Sequence, residues 1–417
     1  MTDVATQSIV PSFGEAARFW IRLGFISFGG PAGQIAILHR EVVEQRGWLD
    51  ERRFTDALNF CMLLPGPEAL QLAIYLGWKL HGVRGGLVAG LGFIVPSIAL
   101  LLGLSWIYAR YGSVPALHGV LLGLKAAVIA LVLQAIVRIG RRALGTPVHF
   151  ALAVFAFIAL QFGDVPFPLV LLVAATAGIA LRWRDRVPPH VPAAVAPGHW
   201  RRTLAVGLAL WVAPLIALAP TLGLDSLWGR LYLFFSKAAL VTFGGAYAVL
   251  GYVTQHLVHD LGWLTAEQAV AGLALAETTP GPLVIVLQFM GFMTGWNQSA
   301  PLSPEWSATL AALLAAWATF LPSFVLIFLG APYIERLAHA PRFSGALAAI
   351  TAAVVGVIVT LLVLLARAVF LTAGTTTNVQ WPAVLIAAIC AVLLTRTRLA
   401  LHWVLSAAAL AGLVCSP

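Results

Sequence analysis

The chain has 417 residues, of which 60% are hydrophobic and only 10% charged, a ratio that no water-soluble globular surface accommodates. Several runs approach or exceed the ~20 apolar residues that span a bilayer, so the class is an all-α polytopic membrane protein. The net charge of +9 does not point to nucleic acid, because the basic residues sit in short loops between apolar spans, which is the pattern of an orientation signal.

The first dozen residues lack a basic stretch before an apolar core, and no cleaved signal peptide is expected. Cys61, Cys390 and Cys415 lie far apart in apolar surroundings; they fit neither a disulfide framework nor a metal site and read as small buried hydrophobes. No cofactor motif is present.

Residues 13 to 45 read as two short helical arms around Phe28-Gly29-Gly30-Pro31, where Gly-Gly-Pro removes side-chain packing and a backbone donor at one point. Neither arm is long or clean enough to span. Residues 52 to 80 repeat the pattern around Pro65-Gly66-Pro67. Both segments read as re-entrant hairpins, which a bilayer tolerates only where the broken backbone is buried in protein or lines a cavity. Spans are expected at 85 to 109, 116 to 137, 147 to 163 and 166 to 182. A Pro-rich, charged linker follows from Arg184 to Arg202, then one span to about 222.

The motifs then return. Phe243-Gly244-Gly245, Gly262-Trp263-Leu264 and Pro280-Gly281-Pro282 repeat Phe28-Gly29-Gly30, Gly47-Trp48-Leu49 and Pro65-Gly66-Pro67 at a constant shift of 215, while Pro96-Ser97 and Gly119 reappear as Pro322-Ser323 and Gly345 at a shift of 226. The second copy therefore carries about eleven extra residues between the blocks, and the repeat is a domain-sized unit rather than a solenoid period. The expected organisation is a first repeat over 13–183, a linker plus inverting helix over 184–223, and a second repeat over 228–416. Hairpins at 231 to 259 and 266 to 296 precede spans near 307 to 330, 343 to 366, 380 to 395 and 399 to 415.

Loop charge sets the relative orientation. Arg46, Arg52, Arg53, Lys79, Arg84, Arg138, Arg141 and Arg142 crowd three loops of the first copy, whose counterparts hold only Arg367; the weakly basic loop with Arg110 corresponds to one with Arg336 and Arg342. The bias reverses, which predicts inverted-topology repeats with broken helices meeting near the midplane, the plan of secondary transporters. The expected topology has nine full spans and four hairpins, with the N-terminus and linker cytoplasmic and the C-terminus outside.

A broken helix presents unpaired N–H groups and the positive end of its dipole, which favours an anion as cargo. Arg22 and Lys237 lie six residues before their Phe-Gly-Gly motifs and are repeat mates, since 237 − 22 is 215; Lys125 lies mid-span. Charges at such depth are costly and are paired, functional, or snorkel to an interface. Arg22 and Lys237 are expected to face the anion between the breaks. Glu68 and Glu277 flank the Pro-Gly-Pro motifs as carriers of protons or partners of buried cations, and Gln71 and Gln288 can bond an oxyanion, the hairpin backbone or each other. Gly77, Gly119 and Gly295 read as helix-packing positions.

Ser27-Phe28-Gly29-Gly30-Pro31-Ala32, Gly47-Trp48 and Leu64-Pro65-Gly66-Pro67 with Gln71 and Gly77, echoed by Thr242-Phe243-Gly244-Gly245 and Thr279-Pro280-Gly281-Pro282, resemble the chromate ion transporter family in its two-domain form over nearly the whole chain. The resemblance implies chromate efflux across a bacterial inner membrane and chromate resistance, with sulfate as a chemically similar dianion. Glu277 stands where a glutamine near the second Pro-Gly-Pro is expected, a departure that changes the charge of that half. The rival readings are a transporter of sulfate or another oxyanion and a channel-like anion conductor; a homodimer is an open assembly. No H-E-x-x-H, G-x-S-x-G or Walker A motif supports an enzyme or a primary pump.

Overall fold

The computed structural model describes residues 11–112, 114–163, 165–182, 200–243, 245–331, 341–371, 379–397 and 399–415. Most of the expected linker, and Gly244 of the second Phe-Gly-Gly, lie outside the described residues. The chain is helical, and the first repeat opens with α1 (Phe13–Ile26), α2 (Gly30–His39), α3 (Glu51–Leu63) and α4 (Glu68–Tyr111). Then come α5 (Pro115–Ala143), α6 (Pro147–Phe162), α7 (Phe167–Leu181) and the connecting α8 (Trp200–Leu218).

The second repeat runs through α9 (Leu227–Leu240), α10 (Ala246–Gln255), α11 (Ala266–Thr278) and α12 (Val286–Asn297). It closes with α13 (Pro304–Gly330), α14 (Pro341–Phe370), α15 (Trp381–Arg396) and α16 (Leu401–Cys415).

Local structure repeats in detail. α2 and α10 each run into a π-helical turn, Arg40–Gln45 and His256–Asp260, followed by a left-handed glycine, Gly47 at φ 59° and Gly262 at φ 61°. The next amide, Trp48 or Trp263, donates back to the carbonyl of Val42 or Leu257 at 2.9 and 2.8 Å. Asp50 and Thr265 then cap α3 and α11 by accepting from the amides three residues on. From the ends of the π-helical turns onward, each of these pairs is 215 residues apart.

The four arm pairs fold back on themselves as expected. Arg46, past the end of α2, lies 3.8 Å from Glu15 at the start of α1 and stacks 4.9 Å over the Phe19 ring. In the second copy His256 stacks on Phe234 of α9 with ring centroids 4.8 Å apart. Asn297 at the end of α12 donates to Gln268 in the first turn of α11 at 2.9 Å. α4 itself is two arms: its 44 residues would extend ~66 Å, twice the hydrocarbon thickness. The chain instead reverses at His81-Gly82, where Gly82 adopts φ 62°. Gly77 then packs on Gly85 and Ala89. Gly295 packs likewise on Ser307 and Ala308 of α13. The second copy makes this reversal through residues 298–303, and that longer connection contributes to the growth of the shift from 215 to 226.

Among the described residues five helices are long and apolar enough to cross a membrane. α6, α7, α15 and α16, with 15 or 16 residues, are ~24 Å of helix against ~30 Å of hydrocarbon, and they begin and end within two residues of the spans expected there. One expectation is corrected. Cys61 and Cys390 are buried, but Cys415 is exposed at the end of the chain. The packing role expected of Gly119 holds, since it lies against Gly412 of α16.

Candidate functional site

The hairpin tips of the two copies meet and exchange matched bonds. The Gly66 amide donates to the Thr242 carbonyl at 2.9 Å, and the Gly281 amide donates to the Ser27 carbonyl at 2.8 Å; both donors and both acceptors are 215 apart. Such reciprocal contacts are what a two-fold relation between the copies produces. Ser27 and Thr242 turn their hydroxyls back to the carbonyls of Leu23 and Ala238 at 2.6 and 2.7 Å, leaving their own carbonyls for the exchange. Both glycines disfavour a side chain: Gly66 and Gly281 have φ of 132° and 102°, and a Cβ on Gly66 would lie 2.5 Å from Gln71 Nε2 and 2.8 Å from Ser323 Oγ. A Cβ on Gly281 would collide with Ser97 Oγ.

Between the tips lies a void of about 10 Å³ lined by Pro31, Pro67, Gly245 and Pro282, one residue from each break, together with first-turn residues of the helices that start there. These are the N-terminal ends of α2, α4, α10 and, through a short 3₁₀ turn at Leu283–Ile285, α12. Four sets of amides without intrahelical partners, and four positive dipole ends, thus meet at one point. The volume is that of about one water.

Two large cavities flank this centre. One, of about 970 Å³, is lined by Arg138, Arg142, His149, His39 and Tyr247 and reaches the centre through Pro31, Glu68 and Gly245, which line both spaces. The other, of about 920 Å³, is lined by His118, Lys125, Glu267, Arg367, Gln255 and Gln380 and shares no lining residue with the centre. The cavities are repeat mates. Leu122 and Lys125 line the second where Ala348 and Thr351, 226 residues on, line the first; Glu44 and Glu51 line the first where His259 and Ala266, 215 on, line the second. α5 gives its first half to one cavity and its last turns to the other, α14 does the reverse, and the two helices pack together. They are therefore antiparallel.

The expected site residues separate into those the fold gathers and those it does not. Gly30, Pro65, Gly66, Pro67, Gly245, Pro280, Gly281 and Pro282 form the tips and the void. Gln71 and Gln288 brace backbone, donating to the carbonyls of Pro65 at 2.8 Å and Ile98 at 2.9 Å. Glu277 is 7% exposed and accepts from Tyr247 Oη at 2.7 Å. Lys125 is 5% exposed and its ammonium binds Glu267 at 2.5 Å. Partial burial pushes the Glu267 carboxyl up, but the charge and hydrogen bond of Lys125 more than offset it, holding the group below the usual range.

Arg22 and Lys237 are both exposed, on the stripes Arg18-Arg22-Phe25 and Leu233-Lys237-Leu240, because α1 turns Phe19, Trp20 and Leu23, and α9 turns Leu231, Phe234, Phe235 and Ala238, into the core. They line neither the void nor the two cavities. Phe28 is also exposed and Gly29 caps α2 at φ 92°, while Phe243 is half-buried on the core.

Residues missed at the sequence level are polar groups at the tips. Gln34, 1% exposed, donates through Nε2 to the carbonyls of Gly281 and Ser27, tying the exchange together, and its Oε1 has no partner. Ser97 donates to the Pro280 carbonyl at 2.6 Å, and its repeat mate Ser323 lies against Gly66. The Pro-Ser repetition marked these serines; Gln34 had no repeat mate to mark it, since Val249 stands 215 residues on.

The sequence profile of chromate transporters matches residues 14–179 and 229–413. The chain belongs to the chromate transporter family. A chromate transport protein of Pseudomonas aeruginosa is 33% identical to this family member over 364 residues, covering 86% of this chain and 82% of that one. One of Cupriavidus metallidurans is 29% identical over 406 residues, 97% and 93% of the two chains. An uncharacterized transporter of Bacillus subtilis, YwrB, is 32% identical over 172 residues, which are 40% of this chain but 87% of that protein. No solved structure matches. The family resemblance read from the repeated motifs holds, and the chain is a multi-pass membrane protein of a transporter family.

Proposed function

We propose that this protein is a secondary transporter that exports chromate across a bacterial inner membrane and so confers chromate resistance, by alternating access of two inverted repeats to one oxyanion site. The observation that carries this reading is the meeting of four helix N-termini at one void, a set of positive dipole ends that suits a tetrahedral dianion. Three features support the alternation. The antiparallel α5 and α14 are repeat mates, the two cavities are repeat mates, and only one cavity reaches the centre.

The cavity that reaches the centre carries Arg138, Arg142 and the ends of the first copy's hairpins, on the side of the Arg-rich loops. It faces the cytoplasm by the positive-inside rule, and the conformation described is inward-facing. A void of about 10 Å³ also disfavours a channel, since an oxyanion cannot pass it without movement of the tips. Export of a dianion from a negative interior is favoured by about 2 × 2.3 kcal/mol per 100 mV, so no ATP is required.

Uptake and efflux of chromate and sulfate in proteoliposomes under an imposed potential test the proposal. Saturable chromate flux that follows the potential and exceeds sulfate flux is expected. Flux that does not saturate would turn the reading to a channel, and preference for sulfate would change the cargo.

A further inference from the structure

The same centre contains one carboxylate that its repeat mate lacks. Glu68 is the first residue of α4, directly after Pro67, and lines both the 10 Å³ void and the cavity leading to it. Its mate at 283 is leucine. Among the described residues no hydrogen bond or ion pair is made by the half-buried Glu68 side chain. The partner at hand is the set of positive helix ends, which stabilises a carboxylate in a first turn.

We propose that Glu68 is a tethered anion that holds the four-helix centre between transport events and yields it to the oxyanion by taking up a proton. The proposal rests on the oxyanion-transport reading above. A void with room for about one water admits no tetrahedral anion with its four oxygens unless a side chain leaves. Pro31, Pro67, Gly245 and Pro282 are fixed by the backbone, whereas Glu68 sits at the boundary with the open cavity and is free to swing. Two anions repel in one low-dielectric site, so the carboxylate that withdraws toward apolar wall does so as the neutral acid.

Gln34 is the independent observation. Its Nε2 is committed to the Gly281 and Ser27 carbonyls, which fixes its Oε1 as an acceptor, and that buried acceptor on the void has no donor. It calls for a hydrogen-bearing group, which a water in the void or the O–H of protonated Glu68 supplies and an oxyanion does not. The proton enters from water in the cytoplasmic cavity, resides on a carboxyl oxygen while the oxyanion is bound, and leaves when the carboxylate retakes the centre. No bond to the oxyanion forms.

The other titratable and charged groups around Glu68 are Cys61 of α3, Tyr247 of α10 with Glu277 of α11 hydrogen-bonded to it, Arg138 and Arg142 of α5, and, at the cavity mouth, His39, His149, Glu44 and Glu51. The histidines also change charge near neutrality, so the test compares variants at Glu68 alone.

Chromate binding to the purified full chain, measured by titration calorimetry at about pH 5.5 and about pH 7.5, decides the matter. Chromate's own protonation is common to all variants and cancels in the ratio of affinities. The ratio of Glu68→Gln to wild type should rise by about tenfold or more between the lower and the higher pH. Glu68→Ala, which removes both charge and bulk, should behave in the same way. A ratio constant across the pH range for both variants overturns the proposal while leaving oxyanion transport standing. Absence of chromate binding by the wild-type chain at either pH overturns both.

Discussion

Lys125 shows how depth decides what a charge is worth here. Its ammonium is buried and its partner Glu267 is half in water, with side-chain exposures of 7% and 54%. Removing the two partners is therefore not equivalent. Glu267→Gln leaves a buried cation uncompensated and should lower stability by about 1–3 kcal/mol, while Lys125→Gln leaves a carboxylate that water can reach and should cost less. Thermal unfolding of both variants in detergent checks the order; a larger loss for Lys125→Gln would contradict it. The tie has a pH window of its own. Because the folded-state pKa of Glu267 is depressed, the stability it contributes is present above the ordinary carboxylate range, near 4.3. It is lost as pH falls through the lower folded value.

At Gly66 and Gly281 the issue is backbone. Each has a positive φ that a side chain resists, and each would drive a Cβ into a serine hydroxyl of the other copy. Gly66→Ala and Gly281→Ala should each cost about 1–3 kcal/mol and abolish chromate flux, because the strain falls on the bonds that join the tips. Flux close to wild type in either variant would mean that the tips need not meet. These glycines were legible in the sequence because their motifs repeat. The placement of Arg22 and Lys237 was not, since a shared register says that two residues are equivalent but not which face of the helix they occupy. That face is set by Phe19, Trp20 and Leu23, and by their counterparts Phe234, Phe235 and Ala238, whose burial turns the cations outward.

At the scale of elements, the arms around Gly-Gly and Pro-Gly-Pro were readable because interrupted apolar runs too short to span have few other uses. Their ends are held by polar ties that the sequence did not announce. His39 at the end of α2 bonds Glu51 at the start of α3 at 2.6 Å and lies 3.0 Å from Glu44. The hydrogen bond to Glu51, with the charges of both carboxylates, raises the imidazole above its ordinary value despite the opposing effect of burial. The sign follows: stability from this tie is complete below about pH 6.5 and is lost as pH rises through the raised folded value. The protection of amides in residues 40–50, taken relative to intrinsic exchange at each pH, should therefore fall on going from mildly acid to alkaline pH, and His39→Gln should flatten that response. An unchanged response in His39→Gln would assign the pH dependence to another group. The short α6, α7, α15 and α16 were legible in the sequence to within two residues at each end.

At the scale of the whole molecule, the duplication was the most legible feature and the interlocking of its copies the least. A constant shift of 215 fixes equivalence, but the exchange of Gly66 with Thr242 and Gly281 with Ser27 is a contact between copies that no periodicity specifies. The two cavities follow from the same relation. Because α5 and α14 are equivalent and antiparallel, whatever lines one end of the first copy lines the opposite end of the second. The proposed transport cycle is this relation in time, with the centre opening to one cavity and then to the other. Its central claim is that the two cavities lie on opposite sides of the membrane. Single-cysteine chains with Cys61, Cys390 and Cys415 replaced, carrying Thr146→Cys in one cavity or Gln380→Cys in the other, provide the direct measurement when treated with a membrane-impermeant thiol reagent in sealed vesicles of known orientation. Thr146→Cys should label only from the cytoplasmic side and Gln380→Cys only from the outside; labelling of both from the same side would contradict the inverted, alternating arrangement.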